Sequence, residues 1–311
     1  MVMIRNLLPT DVVALVAFYS RSIPNQAQLR SHLERGSDAA LNPGALLEQW
    51  LTAENRKALV AVEGLTAIRG LLTARQRDGK SVWEIERFMV EDDDEEIATD
   101  LLEDLAQRLS GSQTRRIFLR LPLDSPPVTA ARQAGYFPYL SETLLQSTST
   151  ARVKVPADMT SSAIGRKKGD AYGLFRLYCT SVPTIVQMNE GATLEEWTEG
   201  QEASFGHQRE YVWATDGQPW AWLRSSEHSP YQQIQLLVHP SANDATNDLV
   251  QYALSLAPKG GKTLALVPDH QIDLQRTLTR NWGFEEVAHY VALVRQLTVR
   301  VPAVQLAPAR T

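Results

Sequence analysis

Hydrophobic and polar residues along the first part of the chain predict a strand, two helices and a hairpin. Residues 3–5 form the predicted strand, and a helix follows from Asp11. Four apolar residues share one face of that helix at helical spacing: Val12, Leu15, Val16 and Tyr19. A second helix is predicted at residues 45–51, and the polar turn at Glu63-Gly64 indicates a hairpin.

The following residues alternate strands with helices. The predicted elements are, in order, strand 82–90, helix 97–109, strand 116–121, helix 128–134 and strand 136–146. The helix at 97–109 is amphipathic, with leucines on one face and charged residues on the other. The second half follows the same order, from a helix at 170–183 to strands within 287–301. This succession predicts an α/β protein with a mixed (α+β) sheet.

Short motifs recur in the same order in the two halves. The segment from Asp11 to Pro24 is echoed by the segment from Asp170 to Pro183, and Val90 is echoed by Val238. A repeat period of this length indicates a duplicated domain rather than a solenoid. We therefore expect one domain at residues 1–150, a second at 151–302 and a loose tail at 303–311.

This order of elements resembles the GCN5-related N-acetyltransferase (GNAT) fold, written twice. The resemblance rests on the hairpin at 60–71, on Val90 and Val238 as the ends of the central strands, and on the closing Gly135-Tyr136 and Gly283-Phe284. It covers nearly the whole chain. It implies two tandem acyl-CoA N-acyltransferase-like domains, each with a place for acetyl-CoA.

In the GNAT family, the pyrophosphate of acetyl-CoA lies on a glycine-containing turn at the start of the helix after the central strand. Backbone N–H groups and the positive end of the helix dipole attract the anion there. The first half departs from this pattern, because six consecutive acidic residues occupy positions 91–96. Their charges would repel a pyrophosphate. A solvated helix start is the better interpretation of this segment.

The corresponding segment of the second half is less charged, and Val238-His239-Pro240 resembles the usual lead-in to the family's turn. The resemblance assigns cofactor binding to five residues: Val238, His239, Asn243, Ala245 and Thr246. The glycines and the Gln or Arg of the family pattern are missing here as well. A plain capped helix is an equally good interpretation, since Ser, Asn and Asp are common helix caps.

Amine acetylation requires a base that removes a proton from the ammonium group. Glu84 and Glu86 are the candidate catalytic residues, and strand alternation places both on one face with Phe88, opposite Trp83 and Ile85. Two carboxylates on one face can raise each other's pKa. Two solvent-facing acids, one of them paired with an arginine, remain the alternative.

The second half carries amides where the first half carries these acids, and amides cannot take up a proton. The family's usual tyrosine acid is absent from both halves, where Ala131 and Thr279 stand instead. Trp220 and Trp222, on one face of a predicted strand, are candidate substrate-binding residues, with burial in the core as the alternative. The histidine spacing predicts no metal site.

The composition of the chain limits the classes of molecule that the protein is expected to bind. The chain has 311 residues, a net charge of −5 and one cysteine. An acidic chain is a poor match for nucleic acid, and from the first residues and the lengths of the apolar runs we expect neither a signal peptide nor a membrane-spanning helix. We expect a cytoplasmic protein, a monomer or homodimer, acting on a small-molecule or peptide amine.

Together, these features predict an acyl-CoA-dependent N-acyltransferase with acetyl-CoA as cofactor, and an N-acetyltransferase if the chain is active. The alternative is a non-catalytic GNAT-like binding or assembly module that has lost the ability to bind acetyl-CoA. The missing glycines and the missing tyrosines favour this alternative.

Overall fold

The computed structural model describes residues 2–33, 55–64, 66–77, 79, 81–147, 155–202, 206–228, 230–258 and 260–298. The predicted helix at 45–51 and the predicted tail at 303–311 lie outside the described residues. The domain division at residues 150 and 151 stays a prediction. Within the described part of the chain, no helix combines the length and apolar content needed to cross a bilayer.

Twelve strands and nine α-helices are described. The strands are β1 (Val2–Asn6), β2 (Arg56–Glu63), β3 (Ala67–Gln76), β4 (Val82–Val90), β5 (Arg116–Pro122), β6 (Phe137–Ser147), β7 (Ile164–Gly165), β8 (His207–Thr215), β9 (Gln218–His228), β10 (Tyr231–Val238), β11 (Lys262–Pro268) and β12 (Glu285–Gln296). The helices are α1 (Val12–Tyr19), α2 (Glu95–Leu109), α3 (Pro127–Gln133), α4 (Ala157–Ser162), α5 (Ala171–Ser181), α6 (Thr184–Glu190), α7 (Leu194–Glu199), α8 (Thr246–Ser255) and α9 (Ile272–Arg276).

All twelve strands form one continuous sheet in the order β1-β2-β3-β4-β5-β12-β6-β11-β10-β9-β8-β7. Each half contributes five strands in sequence, β1–β5 and β7–β11, so the sheet is arranged almost symmetrically about its centre. The last strand of each half is exchanged: β12 pairs with β5, and β6 pairs with β11. The predicted duplication is therefore visible in the topology, and the exchange ties the two halves together by backbone hydrogen bonds.

Each half buries a hydrophobic core between the sheet and a long helix. In the N-terminal half, the inward leucines of α2, including Leu101 and Leu105, are fully buried as the amphipathic pattern predicts. Gly70 on β3 permits this packing, because a Cβ there would lie 2.9 Å from the Leu101 side chain. In the C-terminal half, α8 packs on the sheet in the corresponding way.

Two predictions about individual elements are wrong. In α1, Leu15 and Phe18 are buried whereas Val12 and Val16 are exposed. Almost every residue of this helix is apolar, so its hydrophobic pattern does not single out one face. Up to residue 298, where the described residues end, the closing segment of the second half forms one long strand, β12, rather than several strands.

Candidate active site

The sheet has two openings at equivalent places. Strands β4 and β5 are parallel neighbours, yet only the pairs from Val82↔Arg116 to Glu84↔Phe118 are in register. Strands β10 and β11 are likewise paired only from Tyr231↔Lys262 to Ile234↔Ala265. Beyond these pairs the strands diverge, and their facing backbone groups need other hydrogen-bond partners.

In the N-terminal half, the protein's own chain closes the opening. The backbone N–H of Gln26 donates to the carbonyl of Phe88 on β4, and that of Gln28 donates to the carbonyl of Arg120 on β5, each at 2.9 Å. The Asn25 side chain adds to this contact, because its Oδ1 accepts from the Phe88 N–H at 2.8 Å. Residues 25–28 thus bridge the two strands as a short extra strand would.

In the C-terminal half, the chain after the equivalent helix takes another course. After α5, Pro183 immediately precedes a second helix, α6, and no described segment bridges β10 and β11. A cavity with about 950 Å³ of empty space, part of it open to solvent, lies at this opening. Its lining includes Ile234 and Ala265 from the β10–β11 pair.

Residues from both faces of the sheet line the cavity. Ile234 and Leu274 belong to the core under α8, whereas Trp222 and Tyr178 belong to the cluster on the opposite face. The exchanged strand β6 places Leu140 and Glu142 of the N-terminal half in the wall, together with Arg30 and Arg77. Both halves therefore build this single cavity.

Two of the glutamates in the cavity wall are held by arginines. Glu142 pairs with Arg120 at 2.6 Å and with Arg30 at 2.9 Å, and Glu202 pairs with Arg120 at 2.6 Å. Burial by itself would raise the pKa of Glu202, yet Arg120, Arg30 and Arg77 outweigh it and hold this pKa well below its ordinary value. Both carboxylates are therefore engaged by arginines of the protein itself.

The third glutamate, Glu190, differs from these two. It lies at the C-terminal end of α6 and forms no salt bridge with any residue that the structure describes. Its carboxylate receives only long hydrogen bonds, at 3.4 Å, from the hydroxyls of Tyr139 and Tyr178. Burial, together with the nearby carboxylates of Glu142 and Glu202, raises the pKa of Glu190 to about 7.

The predicted catalytic pair lies in the other half. Glu84 is buried and held by Arg75 and Arg77, with contacts of 2.5 and 2.8 Å. Glu86 pairs with Arg56 at 2.6 Å, and burial raises its pKa. Neither Glu84 nor Glu86 belongs to the described lining of the cavity in the C-terminal half.

The predicted strand face around this pair is wrong. Phe88 packs in the same core as Trp83 and Ile85, rather than on the face of the two glutamates. The cause is a β-bulge at Glu86, because Ile85 and Arg87 oppose the consecutive residues Ala74 and Thr73 of β3. One extra residue reverses the alternation of all later side chains.

A second bulge separates the two tryptophans. Trp213 opposes Ala221 and Ala214 opposes Pro219, which leaves Trp220 as the extra residue of β9. The prediction that Trp220 and Trp222 share one face is therefore wrong. Trp222 is buried and lines the cavity, with its indole N–H donating to Glu210 at 2.9 Å. Trp220 borders an outer groove instead.

The predicted cofactor residues gather around that outer groove, at the start of α8. The groove has about 880 Å³ of open space, and His239, Ser241, Ala242 and Ala245 line it. The His239 ring contacts the Ser241 hydroxyl at 2.7 Å. Of the other predicted residues, Val238 ends β10, Asn243 donates to Asp273 at 3.0 Å, and Thr246 is buried at the first position of α8.

Sequence reasoning did not identify Glu190, Arg30 or Arg224 as site residues. A signal for α6 was present, since Pro183 and Gly191 bracket the helix-forming residues 184–190. The charged residues carried no such signal, because they come from distant segments. Among the described residues, no group of three or more potential ligands is arranged to hold a metal ion.

At the level of sequence, the chain matches no protein-family profile and no curated protein. Solved structures do match it. A GCN5-related N-acetyltransferase from Sphaerobacter thermophilus superposes with a TM-score of 0.53, at 12% identity over 95% of both chains. A candidate acetyltransferase from Pyrococcus horikoshii gives a TM-score of 0.51 at 11% identity, over 96% of this chain and 90% of that one.

The chain has the GNAT fold. Its two copies are evident from the symmetric order of the strands. A tandem GNAT protein from the clavulanic acid biosynthesis pathway is also similar over 97% of this chain and 100% of that one, with 13% identity and a TM-score of 0.49. The strand order and the two structures with TM-scores above 0.5 confirm the predicted tandem GNAT fold.

Proposed function

We propose that the protein is an acyl-CoA-dependent N-acyltransferase with acetyl-CoA as donor, and that its one working site lies in the C-terminal half. The observation that carries this proposal is the contrast between the openings. The gap between β10 and β11 leads into a cavity that contains Glu190. The equivalent gap between β4 and β5 is closed by residues 25–28.

The residues around the C-terminal opening fit an acyl-CoA. The splayed ends of β10 and β11 offer Leu236, Leu237 and Leu266 as an apolar lining for a slender chain. The outer groove adjoins the start of α8, where backbone N–H groups and the helix dipole favour phosphate. Its described lining has no lysine or arginine, so the phosphates would rely on these N–H groups, His239 and Ser241.

Glu190 is suited to act as the base. With a pKa of about 7, it can take up a proton near neutral pH and release it again. When bound, acetyl-CoA supplies an acetyl group whose transfer forms an N–C bond and breaks the C–S bond. The ammonium group loses two protons in this exchange, one to Glu190 and one to the departing sulfur.

The N-terminal half fits the second candidate function, a non-catalytic GNAT-like module. Its opening is filled, and the carboxylates of Glu84 and Glu86 are neutralised by arginines. In this proposal the module serves the C-terminal site, since Arg30, Arg77 and Glu142 line the cavity.

Titration calorimetry with acetyl-CoA tests the proposal. We expect one binding event per chain. Ala242→Asp, which adds a negative charge to the outer groove, should weaken binding about tenfold, because each close like-charge contact costs on the order of 1 kcal/mol. Ala67→Asp, the same change at an exposed position of the N-terminal half, is the matched control. An absence of binding heat at millimolar acetyl-CoA would overturn the proposal.

A further inference from the structure

The charged lining of the cavity is balanced. Among its described residues, three arginines, Arg30, Arg77 and Arg224, stand against three glutamates, Glu142, Glu190 and Glu202, so the opposite charges are equal in number when Glu190 is ionised. A ligand with a large net charge would upset this balance in a partly desolvated site. A ligand that carries one charge of each sign would not.

Two arginines of the cavity lining have buried hydrogen-bond donors without partners among the described residues. Arg224 is 7% exposed, and its nearest carboxylate oxygen, on Glu210, lies 3.8 Å from Nε. That Nε has no hydrogen-bond partner among the described residues, and neither does the buried Nη1 of Arg30. Burial lowers the pKa of Arg224, and Arg166 and Arg30 repel its charge further. An anion near Arg224 and Arg30 would accept hydrogen bonds from both unpaired nitrogens and would offset the repulsion between the two guanidinium groups.

The cavity lining also contains hydrogen-bond acceptors that are weakly paired or unpaired among the described residues. Glu190 forms no salt bridge within the described residues, and its hydrogen bonds from Tyr139 and Tyr178 are long. The side-chain oxygen of Gln235, which also borders the cavity, is buried without a hydrogen-bond partner in the described chain. Both groups accept hydrogen bonds, and an ammonium group donates three.

We propose that the acceptor of this site is an amine that also bears a carboxylate, of the amino-acid class. Arg30 and Arg224 receive its carboxylate, and Glu190 and Gln235 receive its ammonium group. The inference rests on the proposed acyltransferase function and names its substrate class. A phosphorylated amine fits less well, because a doubly charged phosphate exceeds the balance of the lining.

The rest of the wall guides the choice of probes. Leu140, Val182 and Val186 form an apolar side of the same cavity. Leucine and phenylalanine are therefore the zwitterionic probes. Isoamylamine and phenethylamine are the same molecules without the carboxylate, and isocaproic and hydrocinnamic acids are the same molecules without the amine.

The first measurement is binding to the protein without acetyl-CoA, by calorimetry. We expect each amino acid to bind about 10- to 100-fold more tightly than either of its truncated partners, since a charge-assisted hydrogen bond contributes on that scale. If neither amino acid binds at millimolar concentration, or if the amines bind equally well, the inference is overturned. If the amino acids bind but acetyl-CoA does not, the proposed function fails and the zwitterion site stands.

The second measurement is the ratio of kcat/KM for the amino acid to that for its decarboxylated amine, followed as CoA release. Arg224→Gln and Arg30→Gln should each lower this ratio about 10- to 100-fold by weakening only the amino acid. Arg224→Lys, which keeps the charge, should restore part of it. A merely structural role would lower both substrates alike and leave the ratio unchanged, which would contradict the assignment.

Arg209→Gln is the matched control for these variants. Arg209 lies on β8 of the same half, with 43% of its side chain exposed, and it is absent from the described cavity lining. We expect it to leave the substrate ratio and the thermal midpoint unchanged. Acetyl-CoA binding by each variant shows that the protein still folds.

Discussion

The two openings of the sheet have the same topology and different contents. Between β4 and β5, residues 25–28 supply the hydrogen bonds that the diverging strands lack. Between β10 and β11, the described residues leave a cavity, where the Gln271 side chain donates to the carbonyl of Leu236 on β10 at 3.1 Å. The difference arises after the first helix of each half, where one chain segment is extended and the other forms α6.

In the proposed function, the two copies of the duplicated fold divide their tasks. The closed half retains a packed core and a buried charge network, and its Arg30, Arg77 and Glu142 reach the other half's cavity. The open half keeps the gap and gains Glu190 from α6. Substitutions and pH titration can test this proposed division of tasks.

The largest effect is expected for Glu190→Gln. Removal of a general base costs about 10²- to 10⁴-fold in rate, and the amide keeps the size of the side chain. Steady-state kcat measures the loss. Glu195→Gln, an exposed glutamate in the same half, is the matched control and should have no effect. Glu86→Gln should also leave kcat unchanged, and a large loss there would move the site to the N-terminal half.

The pH dependence of kcat/KM should follow the ionisation of Glu190. A base must be ionised to act, and the pKa of Glu190 is raised to about 7. We therefore expect kcat/KM to fall about tenfold per pH unit below pH 7 and to level off above it. The break should vanish in Glu190→Gln. A break near pH 4, the ordinary range of a glutamate, would contradict the environment formed by Glu142 and Glu202.

The closed opening should respond in stability rather than in activity. Asn25→Ala removes the bond from Phe88 and the bond to the Glu86 carbonyl, which leaves partly buried backbone groups unpaired. The free energy of unfolding should fall by about 1–3 kcal/mol in denaturant titration. Acetyl-CoA affinity should not change. Asn6→Ala, at an exposed position of β1, is the control, with an expected change within about 0.5 kcal/mol.

The smallest effect is expected for neutralising the acidic segment of the N-terminal half. Asp92→Asn, Asp93→Asn, Glu95→Gln and Glu96→Gln remove the repulsion near its helix start. Asn tolerates the positive φ of 57° and 52° at the two aspartates. The acetyl-CoA stoichiometry should stay at one, because residues 25–28 still fill the opening. A second binding event would show that charge alone excluded the cofactor.

The elements and their repetition could be predicted from the amino-acid sequence. Val82–Val90 was predicted with the bounds that β4 has, and the leucines of α2 were assigned to the core, because strand and helix periods are local properties. The recurring Asp11–Pro24 pattern and the order of elements led to the tandem GNAT fold. The acidic segment at 91–96 also indicated correctly that the two halves differ in charge at this position.

Only the tertiary structure decided which half is open and where its charges meet. The bulges at Glu86 and Trp220 changed the faces of later side chains, and one inserted residue leaves no mark on a strand's composition. The exchange of β6 and β12 placed Glu142 beside the β11 edge, and α6 placed Glu190 in the same cavity. Burial and long-range charge contacts set the pKa of Glu190, and neither can be read from neighbours in sequence.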